Sequence, residues 1–222
     1  MNATIEPRQP LQQDWDAHSP LAKIAVDLAR IQFLQFGDLT TTRHDVQPDA
    51  PRVPICIEPT RLLLYPDVTA DLAFMVEHEV RLTPCQSIVS ASEAMEQVAA
   101  AIAMRLRLRS FTVTPHTMAV PFTQSPHTRV TIIDAVLGNG SAPHVVMQRL
   151  QDAGYTVGNL VTLLDLEQGG REWLAREHPS MHCRTLCSIA QALDHCIEAG
   201  QLLPRDAERI LQYLHTASRA VS

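Results

Sequence analysis

Apolar and polar positions along this chain follow two periods, one typical of helices and one typical of buried strands. Over residues 20–35 the apolar positions share one helical face, and Ser19-Pro20 provides a helix start. Short apolar runs rich in β-branched residues predict strands at 53–57, 87–92, 109–114, 130–134 and 156–166. Further helices are predicted from Pro66 onward and at 93–104, 143–153, 188–199 and 204–218.

Apolar strands that alternate with helices predict an α/β fold in which a central parallel sheet is flanked by helices. The stretch Arg105 to Arg109 alternates basic and apolar residues, as an exposed edge strand does. Residues 167–170, Glu-Gln-Gly-Gly, predict a turn that needs glycine conformations.

Composition limits the possible partners. A hydrophobic fraction of 45% supports a packed core, and the net charge of −6 argues against nucleic acid or an anionic membrane as a partner. No apolar run approaches the roughly 18 residues that a membrane span requires. Lys23 is the one lysine of the 18 basic residues, so chemistry that needs several lysines is unavailable.

The five cysteines form no CxxC pair, which indicates buried thiols in a reducing compartment. We therefore expect an intracellular protein, in the cytoplasm or in an organelle such as the mitochondrion. Residues 1–18, with their acidic residues and prolines, predict a flexible N-terminal arm, and residues 19–222 predict one domain.

The segment VTIIDAVLGNGSAPHVV, which begins at Val130, is the place where chemistry is expected. A strand delivers the carboxylate of Asp134, a small-residue loop follows, and a helix starts near Ser141, whose side chain can cap it. Unpaired N–H groups at such a helix start suit a phosphate, and Asp134 suits sugar hydroxyls. An ordinary strand-to-helix turn is the alternative interpretation.

Several segments together resemble the orotate phosphoribosyltransferase family. VTIIDAVLGNGSA resembles the phosphoribosyl-pyrophosphate signature of type I phosphoribosyltransferases, and LVTLLDLEQGGRE is similar to the orotate branch. Phe36 to Leu39 resembles the family's FGDF segment, and Pro54 to Glu58 resembles PIYID. The resemblance covers about residues 20–215, with the least likeness over 82–128.

This resemblance implies a type I phosphoribosyltransferase-like domain with a small hood built from its N-terminal segment. The family transfers ribose 5-phosphate from phosphoribosyl pyrophosphate to orotate, giving orotidine 5′-phosphate and pyrophosphate, and it uses magnesium. It is usually dimeric, so the resemblance implies a homodimer or a subunit of a larger assembly.

On the ribose-phosphate side, the family's paired acids become Asp134 and Ala135, so one carboxylate is gone. The phosphate-binding residues, if binding is retained, are Gly138, Asn139, Gly140, Ser141 and Ala142. The family's pyrophosphate loop corresponds to Ser90-Ala91-Ser92-Glu93, and its mobile, lysine-containing loop corresponds to 114–128, which has no lysine. His116 or His127 could replace one donor there.

On the orotate side, the family's lysine after FGDF aligns with Thr42, next to Arg43. The arginine that engages the orotate carboxylate aligns with Leu166, which cannot make that contact. A charge-assisted hydrogen bond contributes roughly 1.5–3 kcal/mol, so the loss of two or three would cost several orders of magnitude in binding or rate.

These departures favour a non-catalytic, phosphoribosyltransferase-like structural or assembly subunit, and no catalytic residue is assigned. Two alternatives stay open. One is an active enzyme of pyrimidine (UMP) biosynthesis, which would use magnesium; the other is a non-catalytic module that binds a nucleotide or ribose phosphate.

His178, His182, Cys183 and Cys187 lie close in sequence and are of the types that zinc prefers. The resemblance places Met181 to Leu186 in a buried strand. Because side chains alternate between the faces of a strand, the four are not expected to converge. The sequence therefore predicts no metal site and no resident cofactor.

Overall fold

The computed structural model describes residues 20–41, 43–117, 119–121 and 128–219. The predicted arm, residues 1–18, lies outside the described residues. Within the described ranges the chain forms eight α-helices and seven strands. They are α1 Pro20–Arg30, β1 Leu34–Leu39, α2 Arg43–Val46, β2 Val53–Ile57, α3 Pro66–Arg81, β3 Ser87–Ser90, α4 Glu96–Leu106, β4 Arg109–Thr112, β5 Thr128–Leu137, α5 Ser141–Asp152, β6 Tyr155–Asp165, α6 Gly170–Glu177, β7 His182–Ser188, α7 Ile189–Glu198 and α8 Pro204–Arg219.

Five of the strands form a parallel sheet in the order β4-β3-β5-β6-β7. Strands β5 and β6 are the longest, and they are central, with Asp134 paired to Thr162 and Leu137 paired to Asp165. Since all five strands run the same way, their carboxyl ends meet at one edge of the sheet. The predicted α/β architecture is confirmed.

Helices cover both faces of this sheet. Neighbouring residues along a strand face opposite sides, so Ile133 joins a core cluster with α1, α3, α4, α7 and α8, whereas Ile132 joins a second cluster with α5 and α6. Ile88 and Val89 of β3 divide between the clusters in the same way. Burial on both faces explains why these strands are apolar without interruption.

The small N-terminal unit is an antiparallel pair of β1 and β2, which we call the hood. A bulge interrupts the pairing between Phe36 and Leu39, and Gly37 lies there with a φ of +133°. Arg209 of α8 holds the hood through an ion pair of 2.9 Å with Asp38 and a hydrogen bond to the Gly37 carbonyl oxygen. The C-terminal helix therefore fixes the strand that carries the Phe-Gly-Asp-Leu segment.

Three local predictions differ from the structure. The first helix ends at Arg30 rather than 35, because the chain turns at Gln32 (φ 61°) into β1. Helix α6 was not predicted, since its sequence, GREWLARE, has few apolar positions. The predicted strand at 105–109 is wrong over its first part: Arg105 ends α4, Arg107 is left-handed (φ 55°), and the edge strand β4 begins at Arg109.

All five cysteines are free, and Cys187 and Cys196 are buried. Burial raises the pKa of the Cys196 thiol to about 11, so it carries no thiolate near neutral pH. Among the described residues, no helix has the length and apolar character needed to cross a bilayer.

Glu77 joins helices α3 and α4 from within the first core cluster. Its carboxylate is 6% exposed and accepts hydrogen bonds from Arg81, at 2.9 and 2.6 Å, on the next turn of α3. It also lies 2.5 Å from the guanidinium of Arg105 in α4. A buried carboxylate is tolerated only when it is paired in this way.

We expect Glu77→Gln to lower the free energy of unfolding by about 1–3 kcal/mol, because two charge-assisted contacts become weaker at a buried position. Urea denaturation followed by circular dichroism measures this. The matched control is Glu79→Gln, whose wild-type carboxylate contacts Arg184 at 3.4 Å and is 24% exposed. Equal losses in the two variants would contradict the assignment.

Candidate functional site

The candidate site lies at the carboxyl edge of the sheet, where β5 and β6 end side by side. Strand β5 carries Asp134 toward this edge and continues to Leu137, three residues beyond the predicted end of the strand. The loop of Gly138, Asn139 and Gly140 follows, and α5 begins at Ser141. The sequence therefore placed the strand, the loop and the helix in the right order.

Asp134 is half-buried. Its Oδ1 accepts a hydrogen bond of 2.7 Å from the N–H of Ala135, and the side chain of Ser92 lies on its other side. Burial raises the pKa of this carboxyl to about 6, and the hydrogen-bond donors offset only part of that shift. Among the described residues, no lysine or arginine forms an ion pair with it. A carboxylate whose pKa is raised by burial lowers stability when it is ionised, and groups of this kind cluster at functional positions.

Ala135, which aligns with the family's second acid, is 1% exposed and belongs to the first core cluster. At these two positions the chain therefore has one carboxylate, that of Asp134, where the family pattern has two.

Hydrogen bonds within the loop engage the first residue of α5. Asn139 Oδ1 accepts hydrogen bonds from the backbone N–H of Ser141, at 3.1 Å, and from its hydroxyl, at 2.8 Å. The residue at the N-cap position is Gly140, with a φ of +88°. The prediction that Ser141 caps the helix is thus wrong, because Ser141 is the first helical residue and the N-cap position before it is a glycine. The Asn139 side chain accepts the Ser141 N–H instead.

The turn of residues 167–170 packs directly against this loop. A Cβ atom at Gly170 would lie 2.2 Å from the carbonyl oxygen of Gly138 and 2.7 Å from the amide nitrogen of Gly140. Gly170 is therefore required for the close approach of two backbones, whereas Gly169, with a φ of +82° and open space around it, is required for the turn. The sequence predicted the turn but not the contact.

Trp173 of α6 completes the same contact, since a Cβ atom at Gly140 would lie 2.9 Å from its ring. The imidazole of His144 meets that indole edge-on, and its Nδ1 lies 3.0 Å from Nε2 of His178. Burial, followed by the neighbouring His144, lowers the pKa of His178. Sequence reasoning missed this pair because its two members are 34 residues apart.

At the end of β6, Asp165 Oδ1 accepts a hydrogen bond of 2.9 Å from the N–H of Glu167, and its carboxylate lies 3.4 Å from the guanidinium of Arg171. Burial raises the pKa of Asp165. Leu166, the orotate-side position, is half-buried, packs against the first core cluster and donates its N–H to the Leu137 carbonyl oxygen at 2.8 Å. The apolar side chain of Leu166 therefore contributes to the packing of the core.

The segment that corresponds to the family's pyrophosphate loop has few free donors. The N–H of Ala91 donates to the Ile133 carbonyl oxygen at 2.9 Å, which extends the ladder between β3 and β5. The Ser90 hydroxyl donates to the Ser92 carbonyl oxygen at 2.5 Å. Glu93 is exposed. The hydroxyl and amide of the first two residues are thus engaged within the chain.

The remaining predicted residues fall partly outside the described part of the chain. Arg43 begins the short helix α2, and its side chain, like residue Thr42, lies outside the described part of the chain. His116 is exposed, and its N–H donates to the hydroxyl of Thr114 at 3.3 Å. His127 is outside the described residues.

Among the described residues, no three of the histidine, cysteine, aspartate and glutamate side chains converge as a metal site would require. His182 is exposed, Cys187 is buried, and burial raises the pKa of the Cys183 thiol to about 11.

Comparisons with known proteins identify relatives of this fold. No family model matches the chain. Its sequence is 37% identical over 49 residues to an orotate phosphoribosyltransferase from Synechocystis sp., a match that covers 22% of this chain and 25% of that enzyme.

The solved structures give wider coverage. Leishmania donovani UMP synthase superposes with a TM-score of 0.72 at 21% identity, over 88% of this chain and 42% of that one. Orotate phosphoribosyltransferase from Aeropyrum pernix gives 0.59 at 22% identity, over 81% and 99%. The enzyme from Mycobacterium tuberculosis, solved with 5-phospho-α-D-ribosyl 1-diphosphate, gives 0.58 at 17%, over 78% and 99%. The chain thus spans less than half of the UMP synthase.

The five-stranded parallel sheet with helices on both faces is the type I phosphoribosyltransferase fold. Within that fold the chain is similar to the orotate phosphoribosyltransferase family, and the resemblance that the motifs carried is confirmed.

We expect Gly170→Ala to displace the loop of residues 138–140, because a methyl group cannot fit between the two backbones. Overpacking of this kind costs about 1–3 kcal/mol of unfolding free energy. Amide chemical shifts of Gly138 to Ser141 and urea denaturation measure the two effects. In the matched variant Gly169→Ala, the left-handed conformation lowers the free energy of unfolding by about 1–2 kcal/mol. The amide chemical shifts of Gly138 to Ser141 should stay unchanged in that variant. A Gly170→Ala spectrum with unchanged loop shifts would refute the contact.

The raised pKa of Asp134 predicts an unusual pH dependence. The folded protein holds this proton up to about pH 6, whereas the unfolded chain loses it near 3.8, so the group lowers stability as pH rises from 4 to 7. We expect Asp134→Asn to match the wild type near pH 4 and to be more stable at pH 7. Denaturation at both pH values tests this, and a variant that is less stable at pH 7 would contradict it.

Proposed function

We propose that this protein is a phosphoribosyltransferase-like subunit without catalytic activity, which acts as a structural or assembly component. The observation that carries the proposal is the charge at the carboxyl edge of the sheet. The loops that lead from β3, β5 and β6 into the next α-helix, residues 91–95, 138–140 and 166–169, contain no lysine or arginine. Arg171 lies in the first turn of α6, and its guanidinium faces Asp165. Phosphoribosyl pyrophosphate is a polyanion, and its transfer requires cations that hold the departing pyrophosphate.

Carboxylates outnumber that arginine at the same edge. Asp165 ends β6 and Asp134 lies three residues before the end of β5, while Glu93 and Glu167 stand in the connections after β3 and β6. A pyrophosphate at this edge would meet negative potential at close range, which raises rather than lowers its energy. The long connection between β4 and β5 supplies no lysine or arginine.

The orotate side supports the same proposal. Leu166 packs against the core cluster where the family pattern has an arginine for the substrate carboxylate. An apolar side chain offers that carboxylate no hydrogen bond, and each such loss costs about 10- to 100-fold in affinity.

The direct test follows orotate consumption optically at micromolar protein, with excess phosphoribosyl pyrophosphate and magnesium. We expect no turnover above the rate without protein, and an active orotate phosphoribosyltransferase serves as the positive control for the assay. Leu166→Arg is expected to remain inactive, because it restores one contact while the pyrophosphate cations stay absent. Turnover that Asp134→Asn abolishes would overturn the proposal and establish an enzyme with a rearranged site.

A second candidate function, a module that binds a ribose phosphate or nucleotide without turnover, is favoured by one observation. The loop of Gly138 and Gly140 is held at the start of α5 by Gly170 and Trp173, and a helix N-terminus is suited to a phosphate. The Ser141 amide donates to Asn139, so a phosphate would have to displace that side chain.

Thermal unfolding separates the two candidates. A module gains stability with millimolar ribose 5-phosphate or uridine 5′-monophosphate, and Asp134→Asn together with Gly170→Ala reduces that gain. A structural subunit unfolds at the same temperature with and without these compounds.

A further inference from the structure

Two histidines join helix α5 to the end of helix α6, beside the loop of residues 138–140. His144 lies at the end of the first turn of α5, and His178 directly follows α6. Nδ1 of His144 lies 3.0 Å from Nε2 of His178, and both side chains are half-buried. The two imidazoles are therefore joined by a direct hydrogen bond, which we call the histidine contact.

A hydrogen bond between two imidazoles constrains their protonation. One ring must donate an N–H, and the other must accept it with an unprotonated nitrogen. The contact can therefore form when both rings are neutral or when one ring is protonated. When both are protonated, two N–H groups and two positive charges face each other, and the contact is lost. The histidine contact thus depends on pH in the range where histidine titrates.

The charged surroundings of the contact favour its neutral form. Among the described residues, the charged groups that act on His178 are His144 from α5 and the exposed carboxylate of Glu177 from α6. The loop of residues 138–140 and the turn of residues 179–181 have no ionisable side chain. Burial, followed by His144, lowers the pKa of His178 from its ordinary value of 6.5, and Glu177 offsets only part of that shift. The folded protein therefore resists protonation of His178.

The histidine contact is continuous with the packing of the loop. The imidazole of His144 and the indole of Trp173 meet at 78°, and their ring centroids are 4.9 Å apart. The same indole lies against Gly140, where a Cβ atom would be 2.9 Å from the ring. A displacement of His144 or of the end of α6 therefore reaches the loop through a single aromatic ring.

We propose that the histidine contact is a proton-operated switch for the loop of residues 138–140. While at least one imidazole is neutral, the contact holds α6 and Trp173 against the loop. Protonation of both imidazoles separates His144 from His178 and loosens the packing of Trp173 on Gly140. The loop is then less ordered in acid than at neutral pH. This inference does not depend on the proposed loss of catalysis.

Two-dimensional NMR of the full chain from about pH 7.5 to about pH 4.5 tests the switch, because histidine titrates within this range. Circular dichroism at each pH confirms that the fold persists. We expect the indole N–H of Trp173 and the amide of Gly140 to change chemical shift in one transition, at the pH where the ring signals of His178 titrate. The chain has two tryptophans, and Trp15→Phe assigns the indole signals.

The matched variants are His178→Gln and His182→Gln. A glutamine amide can donate to Nδ1 of His144 in place of the imidazole, but it takes up no proton in this pH range. His178→Gln should therefore keep the loop in place at neutral pH and abolish the acid transition of Trp173 and Gly140. His182 is exposed at the start of β7, so His182→Gln should leave that transition unchanged.

Urea denaturation gives a second measurement. Because the pKa of His178 is lowered in the folded protein, its contribution to stability is present above pH 6.5 and is lost as the pH falls. Asp134 has the opposite pH dependence, but it is present in the wild type and in His178→Gln, so the difference between the two isolates the histidine. We expect the wild type to lose stability relative to His178→Gln between about pH 7.5 and about pH 5.

If His178→Gln does not fold, His144→Asn takes its place, because an asparagine amide can occupy the position of Nδ1. Three results would each overturn the proposal. The first is a wild type in which the Trp173 and Gly140 signals stay unchanged over the whole pH range. The second is an acid transition that persists in the folded variant. The third is a stability difference between wild type and variant that is the same at both pH values.

Discussion

The close approach of two backbones at Gly170 is the constraint on which the candidate site depends. It brings the turn after β6 to within van der Waals distance of the loop after β5, so the two connections at the centre of the sheet support one another. The hydrogen bond from the Leu166 amide to the Leu137 carbonyl oxygen continues the β5–β6 ladder into this contact. The position of the loop is thus set by backbone packing and needs no charged side chain.

Because the position of the loop does not depend on charged side chains, the fold can be kept when the charged groups at this edge change. Asp134 and Asp165 lie at the same edge as the loop, and burial raises the pKa of both carboxyls. Cations near them would offset this cost and would also serve a polyanionic substrate. The described edge has Arg171 alone. The proposal of a non-catalytic subunit rests on this contrast: the sheet and loop can persist without the cations that pyrophosphate transfer requires.

Sequence reasoning succeeded where periodicity is strong. The buried strands β5 and β6 and the helices α7 and α8 follow directly from apolar patterning, with Gly200 after α7 and Pro204 at the start of α8. Sequence reasoning failed where close packing of two backbones requires a residue without a side chain. Nothing in a single sequence distinguishes a glycine needed for a positive φ, as at 169, from one needed for space, as at 170. Helix α6 was missed for a related reason, because one buried leucine and a tryptophan contact anchor it.

The two faces of the sheet are packed separately. Helix α3 packs on the first core cluster, whereas α5 packs on the second. The packing of α3 therefore makes no demand on the loop before α5, and that loop can change without loosening α3. Coupling between them would have to pass through β3 and β5, whose side chains are fixed by burial on both faces. An assembly role thus requires no residual chemistry at the carboxyl edge, and residual phosphate binding there would be compatible with assembly.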